Sequence, residues 1–454
     1  MTDNRRPIRV SRRDLLRNSA YGTAGVLLFG LGACASPDSS GSTTTTGAAA
    51  TTTAATTATT AAPAGAIKIG FVSPRTGPAA SFGEPDGFVL AQARQALANG
   101  LTIGGQTYSV EIIDKDGQAD PPVSAQVAQE LINEDGVDLI LATSTPETTN
   151  PVADAAEAAG IPCISTVCPW EAWYFGRGAV PGEPSPFKYS FHFSFGVQQF
   201  FEAYSASWPQ VETNMKVGVM WPNDADGNAI RGNLGPLLEG AGYTIVDPGA
   251  YENFTADYSA QISQFNTEEC EIFNTFPLPP DFATFWRQAA QQGFRPKIAQ
   301  IAKSALFPSE VEALGDIGIN LATAAYWSPA YPYTSPLTGL DSRALADAYQ
   351  AESGKQWTMQ LGASMSLVDV GIAALQAVSD PKDRDALAAA INTLSVETSV
   401  GNLDFSSGPV PGVVATPIIG GQWVQSEDWP VDIVLVENTS DPNVPIEATL
   451  QAYA

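Results

Sequence analysis

Histidine and cysteine are scarce in this chain of 454 residues, which contains one His and four Cys. A zinc site needs several thiolate or imidazole ligands at short spacing, and the sequence has no CxxC pair or Cys/His cluster. The single histidine, His192, lies in FHFSF, and no GxSxG or GxxxxGK[ST] motif accompanies it. We therefore expect no metal, no cofactor and no catalytic residue.

Basic residues are also few, with 22 Lys and Arg against 48 Asp and Glu. Residues 1–34 hold six of the arginines and two of the acids, so the remainder carries 16 basic and 46 acidic residues, a net charge of −30. Nucleic acids and anionic lipids both require a basic surface. The composition excludes them as direct partners and is typical of a soluble acidic surface.

No apolar run is long enough to serve as a stable membrane anchor. The longest early run, residues 20–33, is shorter than the roughly 20 residues that span a bilayer. The Arg12-Arg13 pair in SRRDLLR resembles a twin-arginine export signal, and LGAC, ending at Cys34, resembles a bacterial lipobox. We expect residues 1–34 to be a signal peptide, with lipid on Cys34 holding the exported protein at the outer face of the cell membrane or in the periplasm. The alternative is an ordinary N-terminal membrane helix with a chance cysteine.

Three cysteines remain for the folded part: Cys163, Cys168 and Cys270. Proteins that use the twin-arginine route fold in the reducing cytosol, where structural disulfides are rare. We expect buried free thiols. Pairing of Cys163 with Cys168 after export stays open.

Residues 35–66 form a Thr/Ala tract with a single charged residue, Asp38. The tract lacks large apolar side chains, so it cannot bury enough surface to offset the entropy of ordering. We expect a disordered tether that holds the folded part roughly 30 Å from the anchor.

From residue 66 onwards, apolar strands alternate with helical patterns, which predicts parallel sheets covered by helices. Strands are predicted at 67–72, 108–113, 137–142 and 161–165, and again at 216–221, 243–246, 271–275 and 297–302. We expect an α/β protein with two doubly wound lobes. The first lobe is assigned residues 67–190 and 326–398, and the second residues 191–325 and 399–454 with the C-terminal tail.

Several segments of the sequence resemble one family. IGFVSPRTGPAASFGEPDG, VEIIDKDGQADPPVSAQVAQELINEDGVDLILATST, GIPCIST and the late TSVGNLDFSSG are similar to type I periplasmic binding proteins of the branched-chain amino acid and amide group. These proteins are the substrate-binding lipoproteins of ABC importers. The likeness runs from Ile67 to Val436 and implies two lobes joined by three crossovers, which close on a small ligand like a hinge.

The resemblance also implies which residues contact the ligand. Ser144 and Thr145 would donate hydroxyl and backbone N–H groups, Cys168 to Trp170 would form a wall, and Phe82 would cap the pocket. In the second lobe, Asp226 and the Phe276-Pro277 pair fall at positions that touch the ligand. These loops follow strand ends, where ligands bind in open parallel sheets. Ser144 and Thr145 are equally suited to cap the helix that follows them.

One departure from the family concerns Lys303, which stands where an acidic residue often pairs with a ligand ammonium. A lysine there would repel an ammonium and attract an acid, unless Asp224 or Asp226 supplies the missing charge. Trp170, Trp173, Tyr174 and Trp327 are aromatic candidates for a flat pocket, with Trp173 and Tyr174 the better candidates for core packing. An apolar or aromatic carboxylate and a branched-chain amino acid both remain possible ligands, as does an amide.

These expectations describe a monomeric binding protein, not an enzyme, that serves an ABC importer whose permease and ATPase subunits are separate chains. Two alternatives remain at the level of sequence. A tethered ligand-sensing domain would use the same fold without transport, and a secreted hydrolase would use His192 or a carboxylate pair.

Overall fold

A computed structural model describes residues 63–453 as alternating strands and helices. The strands are β1 (Ala66–Ser73), β2 (Leu101–Ile103), β3 (Gln106–Asp116), β4 (Leu139–Thr143), β5 (Cys163–Thr166), β6 (Ser190–Ser194), β7 (Lys216–Met220), β8 (Thr244–Val246), β9 (Ile272–Thr275), β10 (Ile298–Ile301), β11 (Ala322–Ala325), β12 (Ser395–Thr398), β13 (Gly401–Asp404), β14 (Val413–Ala415), β15 (Ile419–Val424) and β16 (Asp432–Leu435). The α-helices are α1 (Asp86–Ala96), α2 (Pro121–Glu130), α3 (Pro146–Ala159), α4 (Trp170–Tyr174), α5 (Val197–Ser207), α6 (Ala225–Gly240), α7 (Ser259–Thr267), α8 (Pro279–Gln291), α9 (Pro308–Glu312), α10 (Ser342–Ser353), α11 (Gln360–Gln376) and α12 (Arg384–Ile391).

The first lobe is built on a seven-stranded sheet in the order β14-β6-β5-β4-β1-β3-β2. All its strand pairs are parallel except β2 with β3. The central strand β4 is buried on both faces, because Leu139 and Leu141 join the core under α1 and α11 while Ile140 joins the core under α2 and α3. Such double burial explains the unbroken apolar run in its sequence.

The second lobe is built on a sheet in the order β16-β15-β11-β10-β9-β7-β8. Five strands are parallel, and β15 and β16 add an antiparallel edge. Its core is rich in aromatic rings, with Phe273 of β9 stacked on Phe285 of α8 at a centroid distance of 4.8 Å. The α/β class with two doubly wound sheets, predicted from the sequence, is confirmed.

The chain crosses between the sheets three times, after β6, after β11 and after β14. Two predicted boundaries are corrected. Ser190–Ser194, mostly assigned to the second lobe, pairs with β5 in the first sheet, and Val413–Ala415 pairs with β6 there. The physical reason is burial, because Phe191 and Phe193 fill the first core before the chain leaves it.

The N-terminal segment, the three remaining cysteines and the length of the helices each bear on an expectation from the sequence. The predicted signal peptide with Arg12, Arg13 and Cys34, and nearly all of the predicted tether, lie outside the described residues. Cys163, Cys168 and Cys270 are buried free thiols, as predicted. Between residues 63 and 453, no helix combines the length and the apolar character needed to cross a membrane.

Candidate ligand-binding site

A cavity lies between the two lobes, where the carboxyl ends of both parallel sheets converge. The cavity is lined from the first lobe and its crossover by Phe82, Thr145, Val167, Cys168, Pro169 and Phe195, and from the second by Phe200, Asp226, Phe276, Ala302, Lys303, Leu306, Ala324 and Tyr326.

Most of the cavity wall is apolar and aromatic. Phe276 follows β9 and packs edge to face against Phe200 of α5, with ring centroids 4.9 Å apart. Phe82 is 2% exposed and closes the wall from the first lobe. These rings provide a dry enclosure for the apolar body of a ligand.

Three residues of the wall hold backbone conformations that side chains other than glycine rarely adopt. The φ angles are 60° at Thr145, 62° at Val167 and 65° at Lys303. For Val167, which is branched at Cβ, a positive φ is costly. Such strain persists where the surrounding structure imposes it, and it concentrates at ligand sites.

Thr145 offers the cavity a hydroxyl, but not the backbone donors that the family resemblance implied. The Ser144 and Thr145 N–H groups donate to the carbonyls of Thr166 and Val167, each at 3.2 Å. The Ser144 hydroxyl pairs with that of Thr143 at 3.0 Å, and Ser144 lies outside the cavity wall. The Thr145 Oγ1 atom is buried without a partner and remains available to a ligand.

Lys303 lies at the polar end of the cavity, enclosed by three carboxylates. Its Nζ lies 2.6 Å from Asp226 Oδ2, 3.1 Å from Glu147 Oε1 and 3.6 Å from Asp224 Oδ2. Glu147 belongs to α3 of the first lobe, whereas both aspartates belong to the second. Lys303 therefore does not present a free cation to an acidic ligand, and Asp224 and Asp226 supply negative charge here, the alternative that the sequence left open.

The environment of this cluster shifts two pKa values. Burial raises the pKa of Asp226 to about 7, against the attraction of Lys303. Burial by itself would lower the pKa of Lys303, but Asp224, Asp226 and Glu147 together hold it well above its ordinary value. Lys303 is therefore cationic near neutral pH.

Of the other predicted site residues, Cys168 lines the cavity, and Trp170 and Pro277 do not. The backbone N–H of Trp170 donates to the Phe195 carbonyl at 3.0 Å. The Trp170 indole packs against Gly196, where an added Cβ would lie 2.1 Å from the indole Nε1. Pro277 is buried.

The remaining aromatic candidates belong to the core. Trp173 is fully buried and stacks on His192 with centroids 4.9 Å apart, and Trp327 packs against Trp357. His192 hydrogen-bonds Ser165 Oγ at 2.9 Å, and burial lowers its pKa to about 3. Trp173 and Tyr174 are buried, as expected for core residues.

Sequence reasoning missed several wall residues. Val167, Ala302 and Leu306 lie in loops at strand ends, but nothing marked these residues individually, whereas Pro169 lies within the predicted Cys168 to Trp170 wall and lines the cavity. Phe195, Phe200, Ala324 and Tyr326 reach the cavity from the crossovers, from α5 and from β11, and only their three-dimensional packing shows it.

A family model described as "Periplasmic binding protein" matches residues 66–424 of this chain. The chain belongs to the periplasmic binding protein family, type I. Members of the family bind small ligands outside the cytoplasm and work with permease components of ABC transporters.

This binding protein is similar to a Leu/Ile/Val-binding protein homolog 8 of Brucella abortus, with 23% identity over 303 residues, 64% of this chain and 71% of the relative. Two solved structures share its fold. A solute-binding protein of an R. palustris ABC transporter, in complex with 4-hydroxybenzoate, matches with a TM-score of 0.67 and 18% identity over 84% of this chain and 98% of its own. The branched-chain amino acid binding protein LivJ of Streptococcus pneumoniae, in complex with isoleucine, matches with a TM-score of 0.63 and 16% identity over 82% of this chain and 99% of its own.

Proposed function

We propose that this protein captures a small molecule between its lobes and delivers it to the permease of an ABC importer. The observation that carries the proposal is the cavity whose walls come from both lobes. A ligand that contacts both lobes favours the closed state in proportion to its greater affinity for that state. The closed monomer then docks on the permease, while lipid on Cys34 keeps it at the outer face of the cell membrane.

The proposed ligand has an apolar or aromatic body and a polar head. Phe82 and Phe276 hold the body, the Cys168 segment forms a side wall, and Thr145, Asp226 and Lys303 face the head. Isoleucine and 4-hydroxybenzoate, bound by two proteins of this fold, both fit that description. We therefore propose a branched-chain amino acid or a hydroxylated aromatic carboxylate as the ligand class.

Calorimetric titration and thermal unfolding of the full chain test ligand capture. The panel contains leucine, isoleucine, valine, 4-hydroxybenzoate, benzoate and urea. A true ligand at 100 times its dissociation constant adds about 2.7 kcal/mol to the stability of the protein. Phe276→Ala is expected to weaken binding, and Phe254→Ala, at a residue 64% exposed, serves as the control. Failure of every probe to bind, or conversion of a probe to product, would contradict the proposal.

A cellular experiment tests anchoring and delivery. Cys34→Ala is expected to move the protein from the membrane fraction to the soluble one, and replacement of Arg12 and Arg13 by lysine to retain it in the cytosol. Uptake of the radiolabelled ligand should be lost in a strain that lacks this protein. Normal uptake together with a lost transcriptional response to the ligand would favour a tethered sensing domain instead.

A further inference from the structure

Glu147 and Lys303 form an ion pair that spans the cleft beside the cavity. Glu147 lies in the first turn of α3 in the first lobe, and Lys303 follows β10 in the second. The carboxylate and ammonium are 3.1 Å apart, with side chains only 18% and 5% exposed. An ion pair of this kind forms only when the lobes meet, so Glu147 becomes part of the site on closure.

Closure surrounds the Lys303 ammonium with three carboxylates. Asp226 Oδ2 and Glu147 Oε1 lie within hydrogen-bond distance of Nζ, at 2.6 and 3.1 Å, whereas Asp224 Oδ2, at 3.6 Å, contributes its negative charge alone. Asp224 and Asp226 share the lobe of Lys303 and accompany it in any state, while Glu147 arrives from the other lobe. Without Glu147, the closed site would have one more N–H free and one negative charge fewer to oppose a ligand carboxylate.

Two carboxylate oxygens near this ammonium accept no hydrogen bond. Asp226 Oδ1 and Glu147 Oε2 are both buried without a hydrogen-bond partner. Asp226 lines the cavity, and Oδ1 is the unpaired acceptor of its carboxylate. A buried acceptor left unpaired costs about 1–3 kcal/mol, which a ligand recovers by donating a hydrogen bond to it.

We propose that Glu147 determines which head group the site selects. By engaging Lys303 on closure, it removes the free cation and leaves Asp226 to receive a hydrogen-bond donor, an ammonium or a hydroxyl, from the ligand. A ligand that carries only a carboxylate at this end meets an excess of negative charge and is rejected. The inference rests on the proposed function and narrows its ligand class.

The experiment compares paired probes that differ in one donor group. Leucine is paired with 4-methylpentanoate, which lacks the amino group, and 4-hydroxybenzoate with benzoate, which lacks the hydroxyl. Calorimetric titrations use the full-length wild type and Glu147→Gln, which preserves the side chain's size. Glu134→Gln, an exposed residue of the same lobe, is the matched control.

The wild type and Glu134→Gln should bind the donor-bearing member of at least one pair with an affinity at least tenfold higher than that for its partner probe. In Glu147→Gln that preference should shrink at least tenfold, because Lys303 regains a donor for the carboxylate probe. Glu147→Ala removes the carboxylate altogether, and the same change is expected in it. This second variant also covers the case in which Glu147→Gln fails to fold.

Two results would overturn the inference, and they are distinguishable. If the wild type binds a probe but the preference is unchanged in the folded Glu147 variants, Glu147 does not select the head group, and the proposed function stands. If no probe binds to the wild type, the proposed function fails and the inference fails with it.

Discussion

Phe82 of the first lobe and Phe307 of the second meet edge to face across the cleft, with ring centroids 4.8 Å apart. Both rings are almost completely buried, and Phe82 also lines the cavity. An edge-to-face pair contributes about 0.5–1.5 kcal/mol beyond the area it buries. The contact therefore favours the closed arrangement of the lobes even before a ligand arrives.

Replacement of Phe82 by alanine is expected to shift the unliganded protein towards an open state. Loss of the ring contact should increase the radius of gyration in small-angle scattering and weaken ligand binding by about tenfold, or ~1.4 kcal/mol. Phe254→Ala, at an exposed position, should change neither quantity. Unchanged scattering and affinity in Phe82→Ala would show that this contact does not hold the lobes together.

A buried polar network ties the cavity wall to the first lobe through Gln360. Its Nε2 donates to Thr143 Oγ1 at 2.8 Å and to Ser364 Oγ at 2.9 Å, and the Tyr326 hydroxyl donates to its Oε1 at 3.3 Å. Gln360→Leu should lower the free energy of unfolding by about 1–3 kcal/mol, because it leaves the buried Tyr326 hydroxyl without its acceptor. Urea denaturation measures this loss. Gln376→Leu, exposed at the end of the same helix, is expected to have little effect.

Glu171 at the start of α4 makes the stability of the protein depend on pH. Its Oε1 accepts a hydrogen bond from the Val197 N–H at 2.9 Å, and burial raises its pKa from an ordinary 4.5 to about 7. The folded state therefore binds a proton more tightly than the unfolded state does. This contribution of Glu171 to the free energy of unfolding is fully present below about pH 4.5 and is lost as the pH rises through about 7.

Glu171→Gln cannot ionise, so its melting temperature should rise relative to that of the wild type as the pH increases from about 5 to about 8. Thermal unfolding across this interval measures the difference, and Glu134→Gln supplies the baseline for an exposed glutamate. A difference that is constant with pH, or that narrows at high pH, would argue against a raised pKa at Glu171.

Two helical glycines should respond in opposite ways to substitution by alanine. A Cβ on Gly362 of α11 would lie 2.1 Å from Cδ1 of the fully buried Trp327, whereas nothing lies within 4 Å of a Cβ on Gly232 of α6. Gly362→Ala is expected to destabilise the protein by about 1–3 kcal/mol through overpacking. Gly232→Ala should stabilise it by roughly 0.5–1 kcal/mol through helix propensity. Equal effects in chemical denaturation would contradict the packing argument.

The fold was predictable from local pattern because its central strands are buried on both faces. β1 was predicted at 67–72 and spans Ala66–Ser73, and β9 was predicted at 271–275 and spans Ile272–Thr275. Helix α5 (Val197–Ser207) was missed, since Phe200, Phe201 and Tyr204 give it a composition more typical of strands. β14 is three residues long, too short for any periodicity to indicate its sheet.

The site was predictable only as a set of loops. Thr145, Cys168, Phe276 and Lys303, named through the family resemblance, follow strand ends and line one cavity, because the carboxyl ends of parallel strands share an edge. The contact of Lys303 with Glu147 was not predictable, since the two residues are 156 positions apart in the chain. Contacts that form between two lobes leave no periodic signal in either of them.

The late position of β14 has a consequence for synthesis. Its residues, Val413–Ala415, complete the edge of the sheet to which β1 contributes from the start of the domain. As the chain leaves the ribosome, the backbone of β6 on that edge stays exposed until almost the whole protein has been made. An unpaired strand edge invites aggregation, so the nascent first lobe is expected to depend on chaperones and to mature together with the second lobe, not before it.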